Sequence, residues 1–187
     1  PNPQPLTPSP FPMSGRFAAL FREHEGAIVR SWADEVYAER RTDLASLLSY
    51  RELVDHLPEL LEELARVLDS EADEPEIESA VRSLRVHAQV RFQQGCLVDE
   101  VARELMILRR VLADFLWREH DERAAEGDLR ELRDALARAE LFVDELIAQA
   151  IIVYAASLRP PVLTRAPHWP PPRRRRTDRL PDRDRQW

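Results

Sequence analysis

The sequence predicts an all-α protein, an antiparallel bundle of about five helices. Apolar residues recur at steps of three and four along most of the 187 residues, which is the spacing of a packed helix face. Ala, Leu, Glu and Arg dominate the chain, and all four favour helix. Only four glycines occur, and a hydrophobic content of 44% suits one domain of ordinary size.

The first helix is predicted from Ser14 to about Arg41, followed by a short turn at 42–48. Serine is a residue type that caps helix N-termini, because its side chain accepts a hydrogen bond from the first turn. The apolar residues that follow share one helix face: Phe17, Leu20, Phe21, Ile28, Trp32 and Val36.

The second helix is predicted from Ser49 to Leu68. Ser49 and Glu52 have the spacing of a capping box, in which each side chain bonds the other residue's backbone N–H. Pro58 lies inside the apolar pattern and lacks the N–H that a helix interior needs. The helix is therefore either kinked at this proline or begins again there.

Two further helices are predicted to meet at a glycine. Asp73 with Glu76 forms a second capping-box pair, and Pro75 suits the first turn of a third helix. Gly95 ends that helix, because glycine readily adopts the left-handed conformation that stops one. The fourth helix is predicted from residue 97 to about residue 119.

The last helix begins at Asp128 and is predicted to have two apolar faces. Its first apolar stripe contains Leu129, Leu132, Leu136, Ala139, Val143, Leu146, Ala150, Val153 and Ser157. The second stripe contains Ile147, Ile151, Tyr154 and Leu158. A helix that is apolar on two faces must be covered on two sides. It is either the central helix of a monomeric core, or the seam of a homodimer that passes signals onward with Tyr154 near its exit.

The ends of the chain differ in composition from this helical region, 14–159. Residues 1–13 contain six prolines, and residues 160–187 contain seven prolines and eight arginines. Both segments are expected to be disordered, because they lack apolar periodicity. Removing the tail's net charge of +5 leaves −12 on the remainder, so nucleic acid is not an expected partner. With no apolar run long enough for a membrane span or a signal peptide, a cytoplasmic location is expected.

Four polar residues around Gly95 are predicted to form a cluster: His87, Arg91, Glu104 and Arg109. Helices that run back from the Gly95 turn at about 1.5 Å per residue bring His87 level with Glu104. Glu104 also interrupts an apolar face. One interpretation is a satisfied polar cluster that fixes helix register. The alternative is a ligand- or proton-sensing pocket in which His87 titrates near neutral pH.

No motif of a metal site or an enzyme is found. The five histidines are scattered, and HExxH, ExxH pairs and CxxC are absent, so neither a metal nor a cofactor is expected. Haem ligation by His87 or His56 is the alternative to consider. Nothing resembles a nucleophile elbow, a P-loop or a dinucleotide fingerprint, so catalysis is not expected.

Three segments, in the same order, resemble one known family. Residues 55–64 (DHLPELLEEL) resemble its DHLP…LL..L element. Residues 87–109 resemble a second element of the family at His87-Ala88, Arg91, Gly95, Leu97, Glu100, Glu104 and Leu108-Arg109. Residues 144–154 resemble its closing helix. Together they resemble the N-terminal sensory domain of RsbT co-antagonist proteins, which also precedes many bacterial sensor histidine kinases. The similarity extends over about residues 16–159.

The resemblance implies a globin-like fold without haem, frequent dimerisation and a downstream output module. The function expected is a non-catalytic signal-input domain of a stress or two-component system, with a homodimer and a signalling partner. After residue 159 there is no kinase dimerisation helix, nucleotide-binding glycine loop or STAS-like strand pattern. The alternatives are a haem- or small-ligand-binding globin-like protein, and an adaptor that senses nothing.

Overall fold

A computed structural model of the chain describes residues 15–70, 72–122 and 129–158. These residues contain helices and connecting turns and no strand, so the predicted all-α fold is confirmed. The predicted caps Ser14 and Asp128 and both proline-rich ends lie outside the described residues. The helices are α1 (Arg16–Ala38), α2 (Leu44–Leu47), α3 (Tyr50–Val54), α4 (Leu57–Asp69), α5 (Glu74–Ser83), α6 (Arg85–Gln93), α7 (Val98–Glu122) and α8 (Leu129–Ser157).

Helices α1, α4, α7 and α8 enclose the hydrophobic core. Helix α1 runs antiparallel to both α4 and α7, and it buries the predicted apolar face between them. The largest side chain of that face, Trp32, is buried, and its Nε1 donates a hydrogen bond to the backbone carbonyl of Glu104 at 3.2 Å. The indole therefore fixes α1 against the middle of α7 without leaving a polar atom unpaired.

Both predicted capping boxes are present, but each is followed by a shorter helix than expected. Ser49 and Glu52 cap α3, which ends at Val54. Pro58 lies in the first turn of α4, where its missing N–H has no helical partner to lose. The alternative in which the helix begins again at Pro58 is therefore correct, and the predicted turn at 42–48 includes the single-turn helix α2.

The third predicted helix is divided at Leu84 into α5 and α6. Asp73 and Glu76 cap α5 as predicted. At Leu84, the backbone N–H bonds the carbonyl of Val81 instead of continuing the α-helical pattern, so a turn separates the two helices there. Gly95 has a φ of +84°, as a left-handed stop requires, and it separates α6 from α7.

Helix α8 buries most of its first predicted apolar stripe within the chain, apart from Leu129 and Ser157 at the two ends, and leaves part of the second stripe exposed. Val143, Leu146 and Ala150 are buried in the core. Along the second stripe, Ile147 is half-buried and Ile151 is 52% exposed. None of the helices in the described ranges combines the length and apolar character that crossing a membrane requires.

Tyr154 lies in the last turn of α8 but not on its exposed surface. Its ring is buried and meets Phe92 edge-on, with the ring centroids 5.2 Å apart. Its hydroxyl donates to the backbone carbonyl of Cys96 at 2.9 Å. Tyr154 therefore joins the end of α8 to the turn between α6 and α7.

Candidate functional site

A buried ion pair joins α6 to α7 at the predicted polar cluster. Arg91 and Glu104 are both fully buried. The guanidinium of Arg91 donates from Nη2 to Oε1 of Glu104 at 2.7 Å, and from Nε to Oε2 at 3.0 Å. This bidentate geometry is the strongest that an arginine and a carboxylate form. This pairing with Arg91 explains why a glutamate lies on the apolar face of α7.

The remaining donors of Arg91 bind the carboxyl end of α3. Nη1 donates to the carbonyl of Glu52 at 2.9 Å, and Nη2 donates to the carbonyl of Leu53 at 2.7 Å. The last carbonyls of a helix have no partner inside that helix, so the guanidinium satisfies two of them. Gln94 accepts a further bond at 3.0 Å. One arginine thus ties α3, α6 and α7 together.

Burial and the ion pair have opposite effects on Arg91. Burial alone would lower the pKa of the guanidinium, but the charge and hydrogen bonds of Glu104 outweigh it, and the pKa of Arg91 is raised above its usual range. Arg91 therefore stays charged.

His87 faces this pair without bonding to it. Its Nε2 lies 3.7 Å from Oε1 of Glu104, beyond hydrogen-bond distance. Neither ring nitrogen has a hydrogen-bond partner among the described residues. Burial lowers the pKa of His87 to about 4, because Glu104 only partly offsets burial, while Arg91 and His56 lower it further. The ring is therefore neutral at pH 7, which disfavours the alternative in which His87 titrates near neutral pH.

Arg109 does not join the cluster, contrary to the prediction. Its Nη1 pairs with Oδ1 of Asp144 on α8 at 2.6 Å, and both side chains are partly exposed. Five residues after Glu104 is about 1.4 helical turns, so Arg109 points to a different side of α7. We use the name polar cluster for His87, Arg91 and Glu104 from here on.

Sequence reasoning missed the role of Glu100, which is buried one turn before Glu104. Its carboxylate accepts from the backbone N–H of Asp43 at 2.8 Å and from that of Leu97 at 2.8 Å. The second bond satisfies a free donor at the start of α7. The spacing of Leu97 and Glu100 is the local signal that could have predicted this role. The side chain of a glutamate at the third position of a helix often accepts a hydrogen bond from the backbone N–H of the residue that caps the helix.

A cavity of about 280 Å³ lies against His87, between the start of α4 and the junction of α5 with α6. His56 and His87 line it with their rings edge-on, the centroids 6.3 Å apart. The other lining residues are Glu59, Leu60, Glu63, Arg66, Ser83, Leu84 and Val86. Among the described residues, no group of three or more His, Cys, Asp or Glu side chains is arranged to hold a metal ion.

The family model of the RsbT co-antagonist protein rsbRD N-terminal domain matches residues 26–160, well over half of the chain. The chain belongs to this family. The match includes the polar cluster and the cavity beside it. Members of the family are regulatory domains in stress signalling, so this is the role of the rsbRD N-terminal domain described here. No curated protein and no solved structure matches the chain.

Proposed function

We propose that this rsbRD N-terminal domain is a non-catalytic, cytoplasmic signal-input module. In this proposal the polar cluster and its cavity receive the signal, and α8 passes it to a second copy of the chain and to an output module or partner protein. The observation that carries the proposal is a neutral, buried histidine without a hydrogen-bond partner, placed between a cavity and a buried ion pair.

A buried ion pair is a costly way to hold three helices together. Removing two charges from water costs several kcal/mol per ion. Apolar side chains of similar volume often stabilise a fold at least as much as a buried ion pair does. In this proposal the pair has a second arrangement, in which some of its hydrogen bonds are exchanged for others. Such a two-state element is what a signal needs to bias.

Helix α6 offers a direct route from the polar cluster to α8. It carries both His87 and Arg91. On the side facing α8, Nε of Arg85 donates to Oε1 of Gln149 at 2.7 Å, and Phe92 meets Tyr154. A shift of α6 caused at the cavity would therefore move contacts on the second half of α8.

The exposed part of α8 supplies the proposed dimer contact. Ile151 and Ile152 are each 52% exposed, Leu158 is 70% exposed, and Ile147 is half-buried beside them. Val143, Leu146 and Ala150 already pack inside the chain. The proposed contact therefore differs from the sequence prediction: it uses the second stripe of α8 without Tyr154, together with Ile152.

Light scattering at micromolar concentration tests the dimer. We expect the wild type to have twice the mass of one 21.7 kDa chain, and Ile151→Glu to be monomeric, because a carboxylate in an apolar contact is costly to desolvate. Leu129→Glu is the matched control, since Leu129 is exposed at the opposite end of the same helix, and this variant should remain dimeric. A strictly monomeric wild type would refute the dimer.

The haem-binding alternative gains no support from the geometry of His87, one of its two candidate ligands. Both ring nitrogens of His87 are buried, and one of them faces the Glu104 carboxylate. We therefore favour a signal-input module over a haem-binding globin-like protein. The absorption spectrum of the purified chain distinguishes the two, because only a haem protein shows a Soret band.

A further inference from the structure

A cavity of about 310 Å³ lies where the residues that follow α1 meet α7 and α8. It shares no lining residue with the cavity beside His87, so the two cavities are separate sites. Four arginines line it: Arg41 after α1, and Arg103, Arg109 and Arg110 on α7. We call this cavity the arginine pocket. Because a guanidinium stays charged and has only donors, the pocket suits an anion unless each arginine already has a carboxylate partner.

Three of the four arginines have such a partner. The pairs are Arg41 with Glu39, Arg109 with Asp144, and Arg110 with Glu35. Arg103 forms no hydrogen bond or ion pair with any residue that the structure describes. The pKa of Glu39 is lowered to about 2, mainly by its hydrogen bonds with Arg41, and the charge of Arg103 adds the smallest contribution. One guanidinium of the pocket therefore has no carboxylate bound to it.

The guanidinium of Arg103 is partly removed from water and is open to the pocket at one end. Its Nε is buried and lacks an acceptor, although buried donors are normally paired. Its Nη1 and Nη2, in contrast, are neither bonded to a described residue nor fully buried. A carboxylate that enters from the pocket can accept from both Nη atoms at once, which is a bidentate arrangement. This arrangement needs no access to Nε.

One part of the pocket lining is apolar. Met106 is 48% exposed and lies about one turn after Arg103 on α7, and Ile107 and Ala113 line the same pocket. A thioether adapts well to an apolar partner. The volume of about 310 Å³ is at the lower end of the range for small-molecule sites. These features fit a small organic molecule better than an inorganic ion.

The balance of charge decides between the two anionic groups that arginine binds best. A carboxylate carries one negative charge, whereas a phosphate monoester carries about two at pH 7. Within the lining of the pocket, only Arg103 lacks a carboxylate partner, and Glu140 on α8 adds a negative charge. A second negative charge on the ligand would therefore meet repulsion from Glu140 instead of a free guanidinium.

We propose that the arginine pocket binds a small organic monocarboxylate. The carboxylate accepts hydrogen bonds from Nη1 and Nη2 of Arg103, and the apolar part of the ligand lies against Met106 and Ile107. This binding site is additional to the polar cluster and goes beyond the proposed function, which names no ligand.

Titration of the full chain with benzoate, followed by NMR chemical shifts at constant ionic strength, tests the proposal. We expect benzoate to bind at millimolar concentration or below. Benzamide has the same ring without the charge, and it should bind at least about tenfold more weakly because it forms no charge-assisted hydrogen bond. Phenyl phosphate should also bind more weakly than benzoate, because of its second negative charge.

Two variants and a control locate the site. Arg103→Gln should weaken benzoate binding at least about tenfold, because it removes the free guanidinium. Ala113→Leu keeps every charge and should weaken binding by filling the pocket, so the test does not depend on the folding of Arg103→Gln. Arg118→Gln is the control: it removes an exposed arginine of the same helix that does not line the pocket, and it should bind benzoate as the wild type does.

Four results would overturn the assignment. An absence of binding at millimolar benzoate would show that the pocket is not a binding site. Equal affinities for benzoate and benzamide would show that the carboxylate is not recognised, and tighter binding of phenyl phosphate would show that the pocket prefers a dianion. Equal affinities of folded Arg103→Gln and Arg118→Gln for benzoate would show that Arg103 does not hold the carboxylate.

Discussion

At the scale of single residues, the polar cluster combines a strong pair with an unpaired neighbour. Arg91 and Glu104 satisfy each other and the end of α3, whereas His87 is buried beside them without a bond. The pair is costly to break because either partner alone would be a buried charge. His87 is costly in another way, since its protonation places a charge in the interior.

We expect Glu104→Gln to lower the free energy of unfolding by about 3–5 kcal/mol, because it leaves the Arg91 charge buried and uncompensated. Urea denaturation monitored by circular dichroism measures this. Arg109→Gln is the matched control: it breaks the partly exposed pair with Asp144 and should cost about 1 kcal/mol or less. If both variants lost the same free energy of unfolding, Glu104 would not be the carboxylate of a buried ion pair.

The lowered pKa of His87 predicts a pH dependence of stability. The unfolded chain takes up the proton near pH 6.5 and the folded chain near pH 4. The contribution to stability is therefore complete above pH 6.5 and decreases as the pH falls toward 4, by about 3 kcal/mol in total. We expect His87→Gln to lose this part of the acid sensitivity, which urea denaturation at several pH values would show.

The comparison that isolates this effect is His24→Gln, which removes a histidine of α1 that packs on Phe115. In this variant the free energy of unfolding should change with pH between 6.5 and 4 as steeply as in the wild type. Identical slopes in the wild type and His87→Gln would show that His87 is protonated alike in the folded and unfolded chains.

At the scale of helices, the features that short sequence patterns govern were predictable. The capping boxes at Ser49 and Asp73 and the stop at Gly95 all appear, because each depends on residues three or fewer positions apart. The division at Leu84 was not predictable, since the apolar spacing continues through it. The two helices on either side of it both pack against α8.

The same distinction applies to the candidate site. His87 and Glu104 face each other across the Gly95 turn, as the geometry of two helices that run back from it predicted. The bonds from Arg91 to the carbonyls of Glu52 and Leu53 depend on where α3 ends relative to α6, which no local pattern encodes. Arg109 was misplaced because counting residues from a turn gives its height along α7 but not its direction around the axis.

Two glycine substitutions should have opposite effects. Gly95 has φ +84° with no atom within 4 Å of an added Cβ, so Gly95→Ala meets backbone strain alone and should lose about 1–2 kcal/mol. Gly26 lies inside α1, where an added Cβ meets only an ordinary contact. Gly26→Ala should therefore gain about 0.5–1 kcal/mol. Thermal or urea unfolding tests both, and a stabilised Gly95→Ala would contradict the left-handed turn.

At the scale of the whole molecule, one helix connects the site to the proposed interface. Helix α8 packs against α4, α5, α6 and α7. A displacement of any of these helices would therefore change its contacts with α8. Its buried stripe holds it in the core, and its exposed stripe is free to contact a second chain. The helical bundle itself was predictable from periodicity, but which stripe is exposed was not, because both have the same spacing in the sequence.

The link between the polar cluster and α8 is the central claim, and hydrogen exchange of His87→Gln against the wild type tests it most directly. A folded His87→Gln should exchange faster at the amides of residues 149–157, the part of α8 that contacts α6 through Gln149 and Tyr154, because these contacts weaken. His24→Gln should leave these amides unchanged. Identical exchange along α8 in the wild type and in a folded His87→Gln would show that the cluster does not communicate with the helix.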